Sequence, residues 1–180
     1  MFSGQLQRRV DSTTPWIEDG REVASRVQLN DARHVAIRAI FPSDLDALRT
    51  FFAALTRATR RLRFHSPINE LSEHVLRKLT MVDHRAHVAL IAEIHDTAVD
   101  QPTTLVAEAR YIRGADPDSA EFALVVAEQW RRIGLGTSLT RILAQHARFA
   151  GVHRLCGDVL EDNKAMRALR IRSARGCREE

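Results

Sequence analysis

Residues 121–137 carry the strongest chemical signal of the chain: Glu-Phe-Ala-Leu-Val-Val-Ala-Glu-Gln-Trp-Arg-Arg-Ile-Gly-Leu-Gly-Thr. Phe122–Ala127 is a continuous apolar run, as a strand in a sheet interior requires. Arg131 and Arg132 bring two positive charges to its end. Gly134 and Gly136 remove side chains where backbone N–H groups must approach an anion closely. The helix expected next would aim its unpaired N–H groups and its positive dipole end at the same point. Together these features predict a site for a phosphorylated cofactor. An ordinary strand-to-helix turn would explain the two glycines alone, but not the arginines, apolar strand and helix together. A P-loop is excluded, because no Gly-Lys-Ser/Thr occurs. A dinucleotide fingerprint is excluded by Leu139, where a third glycine is needed.

Arg131-x-x-Gly134-x-Gly136 resembles the Gln/Arg-x-x-Gly-x-Gly/Ala signature of the GNAT acyl-CoA N-acyltransferases. Val35–Asp44 looks like that family's first strand entering its first helix. A narrower likeness is to the acetyltransferase domain that bacterial protein lysine acetyltransferases fuse to acyl-CoA synthetase-like domains. It rests on Arg61–Ser66, Val82-Asp83, Val88–Ala92, Ala109-Arg110-Tyr111, Ala120-Glu121-Phe122-Ala123 and Val159-Leu160-Glu161-x-Asn163-x-x-Met166. The resemblance covers residues 33–170, and the domain is expected to stand alone, without a synthetase.

The resemblance implies acetyl-CoA as co-substrate, lying in a notch where the central strand and the strand after the glycine helix splay apart. Its pantetheine arm would pair with the backbone of Val125, Val126 and Ala127, and N–H groups of Val126 and Ala127 would meet the thioester carbonyl. Its diphosphate would lie on Arg131, Arg132, Ile133, Gly134, Leu135, Gly136 and Thr137. Asn163 would either reach the pantetheine arm or simply cap the next helix. Forming an amide from a thioester needs a neutral amine, so a general base must take a proton. Glu121 is the first choice, by likeness to the glutamate of the corresponding Ala-Glu-Phe-Ala segment, against a solvated residue at a strand start. Glu108 on the preceding strand is the rival, and Glu128 is expected to point away from the loop. The family's usual acid is a tyrosine in the last helix. This chain has Arg170 near that place and no tyrosine after Tyr111, which leaves Tyr111, bulk water or an unassisted thiolate.

The elements that must position these groups can be read from periodicity. Residues 1–32 are expected to be an irregular lead-in, with a short strand near Val23–Leu29, and 33–180 the acetyltransferase-like domain. Val35–Phe41 predicts a strand. Ser43 predicts an N-cap for a helix to about Leu55, with Leu45, Leu48, Phe51, Phe52 and Leu55 on one face. A helix is expected near Asn69–Leu79, and a hairpin from His87–Ile94 and Thr104–Ile112. A helix at about Thr137–Ala150 should end at Gly151. Arg154–Leu160 reads as a strand parallel to the central one, and Asn163–Ala174 as a helix. The fold class is α/β (α+β): a GNAT-like mixed, mostly antiparallel sheet flanked by helices. The two strands that usually follow are apparently missing, since Arg170–Glu180 is arginine-rich and lacks apolar alternation. An exposed edge at 154–160 would then invite a homodimer.

Composition narrows the class. The chain has 44% hydrophobic and 28% charged residues, ordinary for a globular domain. The net charge is +4, and Lys78 and Lys164 are the only lysines. The arginines are scattered with few aromatics among them, which argues against a nucleic-acid partner. No apolar run suits a membrane span or a signal peptide. Two cysteines do not make a disulfide framework, and Cys156 reads as a buried apolar residue, so a cytoplasmic protein is expected. His84-x-x-His87 has ligand spacing but no marked third ligand, so no metal is assigned. The expected activity is an N-acetyltransferase acting on a primary amine, a protein lysine or a small molecule. A catalytically inactive acyl-CoA-binding domain is the alternative.

Overall fold

The computed structural model describes residues 25–94 and 103–169. Its strands form one sheet in sequence order: β1 (Ser25–Gln28), β2 (His34–Ala39), β3 (His87–Ile94), β4 (Thr104–Arg113), β5 (Ser119–Val126) and β6 (Arg154–Cys156). All neighbours pair antiparallel except β5 and β6, which are parallel. The helices are α1 (Leu45–Ala54), α2 (Arg57–Phe64), α3 (Glu73–Thr80), α4 (Leu135–Phe149) and α5 (Lys164–Ala168). This is the mixed, mostly antiparallel sheet flanked by helices that the sequence implied.

Strand alternation divides the site between two faces. Tyr111, Phe122, Leu124 and Val126 share the face covered by α4. A Cβ on Gly136 would lie 3.4 Å from Leu124 and 3.8 Å from Val126, and Tyr111 Oη meets His146 Nδ1 at 2.9 Å. Glu108, Arg110, Ile112, Glu121, Ala123 and Val125 share the other face. Glu108 there meets Arg63 of α2, and Arg110 donates to the Leu79 carbonyl of α3 at 3.1 Å.

Several boundaries differ from the sequence reading. The short strand expected near Val23–Leu29 is β1, and it belongs to the main sheet, with Leu29 in the core, rather than to an irregular lead-in. Ser43 is not a helix cap, because it lies within a 3-10 turn, Pro42–Asp44. The Asp44 carboxylate instead accepts from Phe41 N–H at 2.8 Å and from both Arg38 amino groups at 2.8 and 2.9 Å. No helix was expected at 57–64, where arginines outnumber apolar residues. Thr56 caps it by accepting from Thr59 N–H at 3.2 Å. α4 starts two residues earlier than expected, and β6 is three residues long rather than seven. Cys156 is half-buried and disulfide-bonded, not a buried thiol. The 95–102 connection and the tail Arg170–Glu180 lie outside the described residues, as does Cys177.

One buried cation holds the α1–α2 corner together. Arg60 Nη1 donates to the carbonyls of Phe52, Ala53 and Leu55 at 2.8–3.1 Å, and Nε to Ile68 at 3.1 Å. It therefore satisfies the orphan carbonyls at the C-terminus of α1. Arg60→Met should destabilise the fold by about 2–4 kcal/mol, because several buried acceptors lose their donor. Urea unfolding would show this as a lower midpoint, and an unchanged midpoint would refute the role.

Candidate active site

The decisive geometry is the parting of β5 and β6. Their register runs only from Ser119↔Arg154 to Glu121↔Cys156. Phe122–Val126 then continues with no rung to β6. Gly157 marks the vertex: a Cβ there would lie 2.5 Å from the Phe122 carbonyl oxygen, so only glycine fits without a shift. The β4 side of β5 remains fully paired, from Arg113↔Ala120 to Ala107↔Val126.

The ladder decides which backbone groups face the opening. Ala127 N–H donates to Val106 at 2.9 Å, in register with the β4–β5 ladder. Antiparallel hydrogen-bonded pairs alternate, so Val125 and Ala123 also turn their N–H and C=O groups toward β4. Phe122, Leu124 and Val126 turn theirs the other way, into the fork. The expected set is divided by this pattern. Val125 and Ala127 are committed to the sheet, Val126 N–H points into the opening, and Leu124, overlooked in the sequence, joins it.

Glu121 lies at the vertex, exposed, directly opposite Ile112 on the face away from α4. Glu108 shares that face but is fully buried. It is gripped by Arg110 and by Arg63, whose Nη2 is 3.2 Å away. Burial pushes its pKa up, the two guanidiniums push it down, and the net value is below the ordinary one. A buried carboxylate so held is a poor proton acceptor, which counts against it as the base. Tyr111 is buried on the opposite face, with its hydroxyl on His146. Burial pushes the phenol up to about 12. Tyr111 therefore does not reach the vertex on Glu121's side, which counts against it among the three expected routes, Tyr111, bulk water or an unassisted thiolate.

The glycine loop ends where expected, but one arginine is used differently. Gly134 is the residue before α4, with φ +91°, a conformation that disfavours side chains. No side chain caps α4. Its first intrahelical bond is Ser138 N–H to the Gly134 carbonyl at 3.0 Å, so the N–H groups of Leu135, Gly136 and Thr137 have no partner within the helix. Leu135 is buried, Thr137 and Arg132 are exposed, and Arg132 has φ +62°. Arg131 does not stand free for an anion. Its Nε donates to the Val126 carbonyl at 2.9 Å and its Nη2 to Thr59 Oγ1 at 2.6 Å.

The loop is braced from two sides, and neither brace was evident in the sequence. Asn30 N–H donates to the Ile133 carbonyl at 3.1 Å, and the Asn30 side chain lies 3.4 Å from where a Gly134 Cβ would be. Arg33 stacks 3.9 Å from the centroid of the buried Trp130 ring and donates to the Gln129 carbonyl at 3.2 Å. On the other side, Glu128 does point away from the helix end. Its Oε1 accepts from Thr56 N–H at 3.1 Å, Thr56 Oγ1 at 2.7 Å and Thr59 Oγ1 at 2.6 Å. Asn163 caps α5 by accepting from Met166 N–H at 3.1 Å. His87 Nε2 meets Arg110 Nη1 at 2.8 Å, while His84 packs against the Phe41 ring. Among the described residues no cluster of three metal-ligating side chains occurs, and no helix is long and apolar enough to cross a membrane.

Residues 53–170 match the acetyltransferase (GNAT) family. The chain belongs to the GNAT acetyltransferase family. It is 32% identical over 141 residues to acetyltransferase PA5475 of Pseudomonas aeruginosa, covering 78% of this chain and 74% of that protein. The GNAT domain of S. lividans PAT superposes with a TM-score of 0.73 at 25% identity, over 81% of this chain and 83% of that one. The Salmonella typhimurium acetyltransferase yncA, solved with its cofactor acetyl-CoA, shares the fold with a TM-score of 0.59 at 18% identity. That match covers 75% of each chain.

The GNAT loop should carry a pH signature through Glu128. Burial raises its pKa, the hydroxyls of Thr59 and Thr56 lower it by more, and the result is about 2 against an ordinary 4.5. A depressed carboxylate stabilises the fold above its unfolded pKa, and that contribution is lost as pH falls through the folded one. Wild type should therefore exceed Glu128→Gln in urea midpoint at pH 6. The gap should close between pH 4.5 and 2. A gap that does not vary with pH would show that the carboxylate charge plays no part.

Proposed function

We propose that this GNAT domain transfers an acetyl group from acetyl-CoA to a primary amine, with Glu121 as general base. The observation that carries the reading is Glu121 at the vertex of a fork whose far end is the uncapped N-terminus of α4. The residues present suit acetyl-CoA. The Leu135, Gly136 and Thr137 N–H groups and the exposed Arg132 would hold the diphosphate. Leu124 and Val126 would present main-chain groups to the pantetheine arm and the thioester oxygen. Asn163, already used as a cap, would at most touch the arm.

In this reading Glu121 takes a proton from the acceptor ammonium, directly or through one water. The freed amine attacks the thioester carbon. A Leu124 or Val126 N–H stabilises charge developing on the carbonyl oxygen. The carbon–sulfur bond breaks, the sulfur leaves as thiolate, and the nitrogen gives its second proton to solvent to become the neutral amide. With Tyr111 buried on the other face, solvent protonates that thiolate after departure, since a thiol of pKa near 8.5 is a tolerable leaving group. The acceptor follows from the resemblance to protein lysine acetyltransferases, which favours a protein lysine over a small amine. The absence of a tyrosine acid keeps a second reading in view, an acyl-CoA-binding domain without turnover.

Thiol release from acetyl-CoA over lysine peptides and simple amines tests both. Glu121→Gln should lower kcat by roughly 10²–10⁴-fold with coenzyme A affinity retained. Unchanged kcat would remove Glu121 as base, and binding without turnover in wild type would favour the second reading. Gly134→Val should weaken coenzyme A binding by about tenfold or more, because a β-branched residue strains the left-handed backbone. Calorimetry showing unaltered affinity would reject the loop as the diphosphate site.

A further inference from the structure

A second opening adjoins Glu121. A groove of about 570 Å³ is lined by His74, Arg77, Lys78, Met81, His87 and Ile112. Ile112 is the cross-strand partner of Glu121, so the two side chains stand side by side on one face. The groove therefore runs from the vertex of the fork to the exposed side of α3. Its floor is unusually apolar for open surface. Among the described residues the exposed large hydrophobic side chains are Met81, Ile112 and Phe149, and the first two lie here. Met81 is 64% exposed and Ile112 41%.

The rim is basic, and none of the six lining residues is acidic. Arg77 shares its charge with Glu73, 2.6 Å away on the same helix. Lys78 makes no ion pair among the described residues. His87 is the fixed wall. Burial and then the Arg110 guanidinium push its pKa down to about 4, so it sits neutral with Nε2 turned to Arg110. Charge is thus divided along the groove. A carboxylate stands at the Glu121 end, where an ammonium must arrive, and cations stand at the α3 end.

Resting on the acetyltransferase reading above, we infer that this groove is the acceptor site and that it selects a protein lysine flanked by acidic residues. The lysine's methylenes would lie along Ile112 and Met81, its amine at Glu121. A neighbouring Asp or Glu would meet Lys78. The acidic neighbour needs no buried partner, since Lys78 is solvent-exposed. Its effect is therefore on binding and not on the chemical step.

The test uses the whole chain with acetyl-CoA and three lysine peptides, whose flanking residues are Asp, Asn or Arg. The Asp peptide should have a KM roughly two- to fivefold below the Asn peptide, at similar kcat and with the gap shrinking in high salt. Lys78→Glu should raise KM for the Asp peptide and lower it for the Arg peptide. Lys78→Arg should restore the wild-type order. Equal KM values for all three peptides, or a Lys78→Glu variant that keeps the wild-type order, would overturn the inference. So would a marked preference for free small amines over every peptide. Turnover of the Asn peptide by wild type separates the two readings: if it persists, acetyl transfer stands whatever the flanks do.

Discussion

The arrangement depends on β5 having two unlike edges. One is zipped to β4 along its whole length. The other is zipped to β6 for three residues and then released. A sheet edge freed in this way exposes main-chain donors and acceptors that water or a ligand must satisfy. Edge exposure is normally a hazard, because a second chain can pair with it. Here the free edge is short, recessed behind Gly157, and roofed at its far end by α4. It is therefore suited to an extended polar ligand rather than to another strand.

The second constraint is that the glycine loop is held from outside itself. Asn30 and Arg33, from the β1–β2 turn, fasten one side through a carbonyl bond and a stacked guanidinium. Glu128 and Arg131 fasten the other to the first turn of α2. Neither set need touch a ligand to fix where the α4 amides point. The same α2 carries Arg63, which compensates Glu108 on the face of the sheet away from α4. One short helix thus contacts both halves of the site. Preorganisation of this kind is what an amide-lined anion site requires, since backbone dipoles that must first reorient contribute little.

The sequence made the central strand, the glycine loop and α4 legible because each has a strong local pattern. Phe122–Ala127 is continuously apolar, Gly134 needs a left-handed backbone, and α4 carries a clear stripe ending at Gly151. The antiparallel hairpin of β3 and β4 was equally plain. What stayed hidden depends on partners far away in sequence. α2 is polar along most of its length, with arginine at four of its eight positions. The end of β6 is set by where the strands diverge, not by β-propensity, so Arg154–Leu160 looked longer than it is. Glu108 and Tyr111 were chosen by alternation and residue type. What counts against them is the pair of arginines around one and the depth of burial of the other, neither of which is local in sequence. Which amides of β5 face outward turned on one bond, Ala127 to Val106, which no local pattern reveals.

Gly157 sets a length scale. Each further rung of pairing between β5 and β6 would consume about 3.3 Å of the cleft, and each rung removed would return as much. A side chain at 157 would wedge the strands apart at their crotch and shift that limit outward. The depth available to whatever group sits between them is therefore metered by a hydrogen atom where every other residue has a carbon.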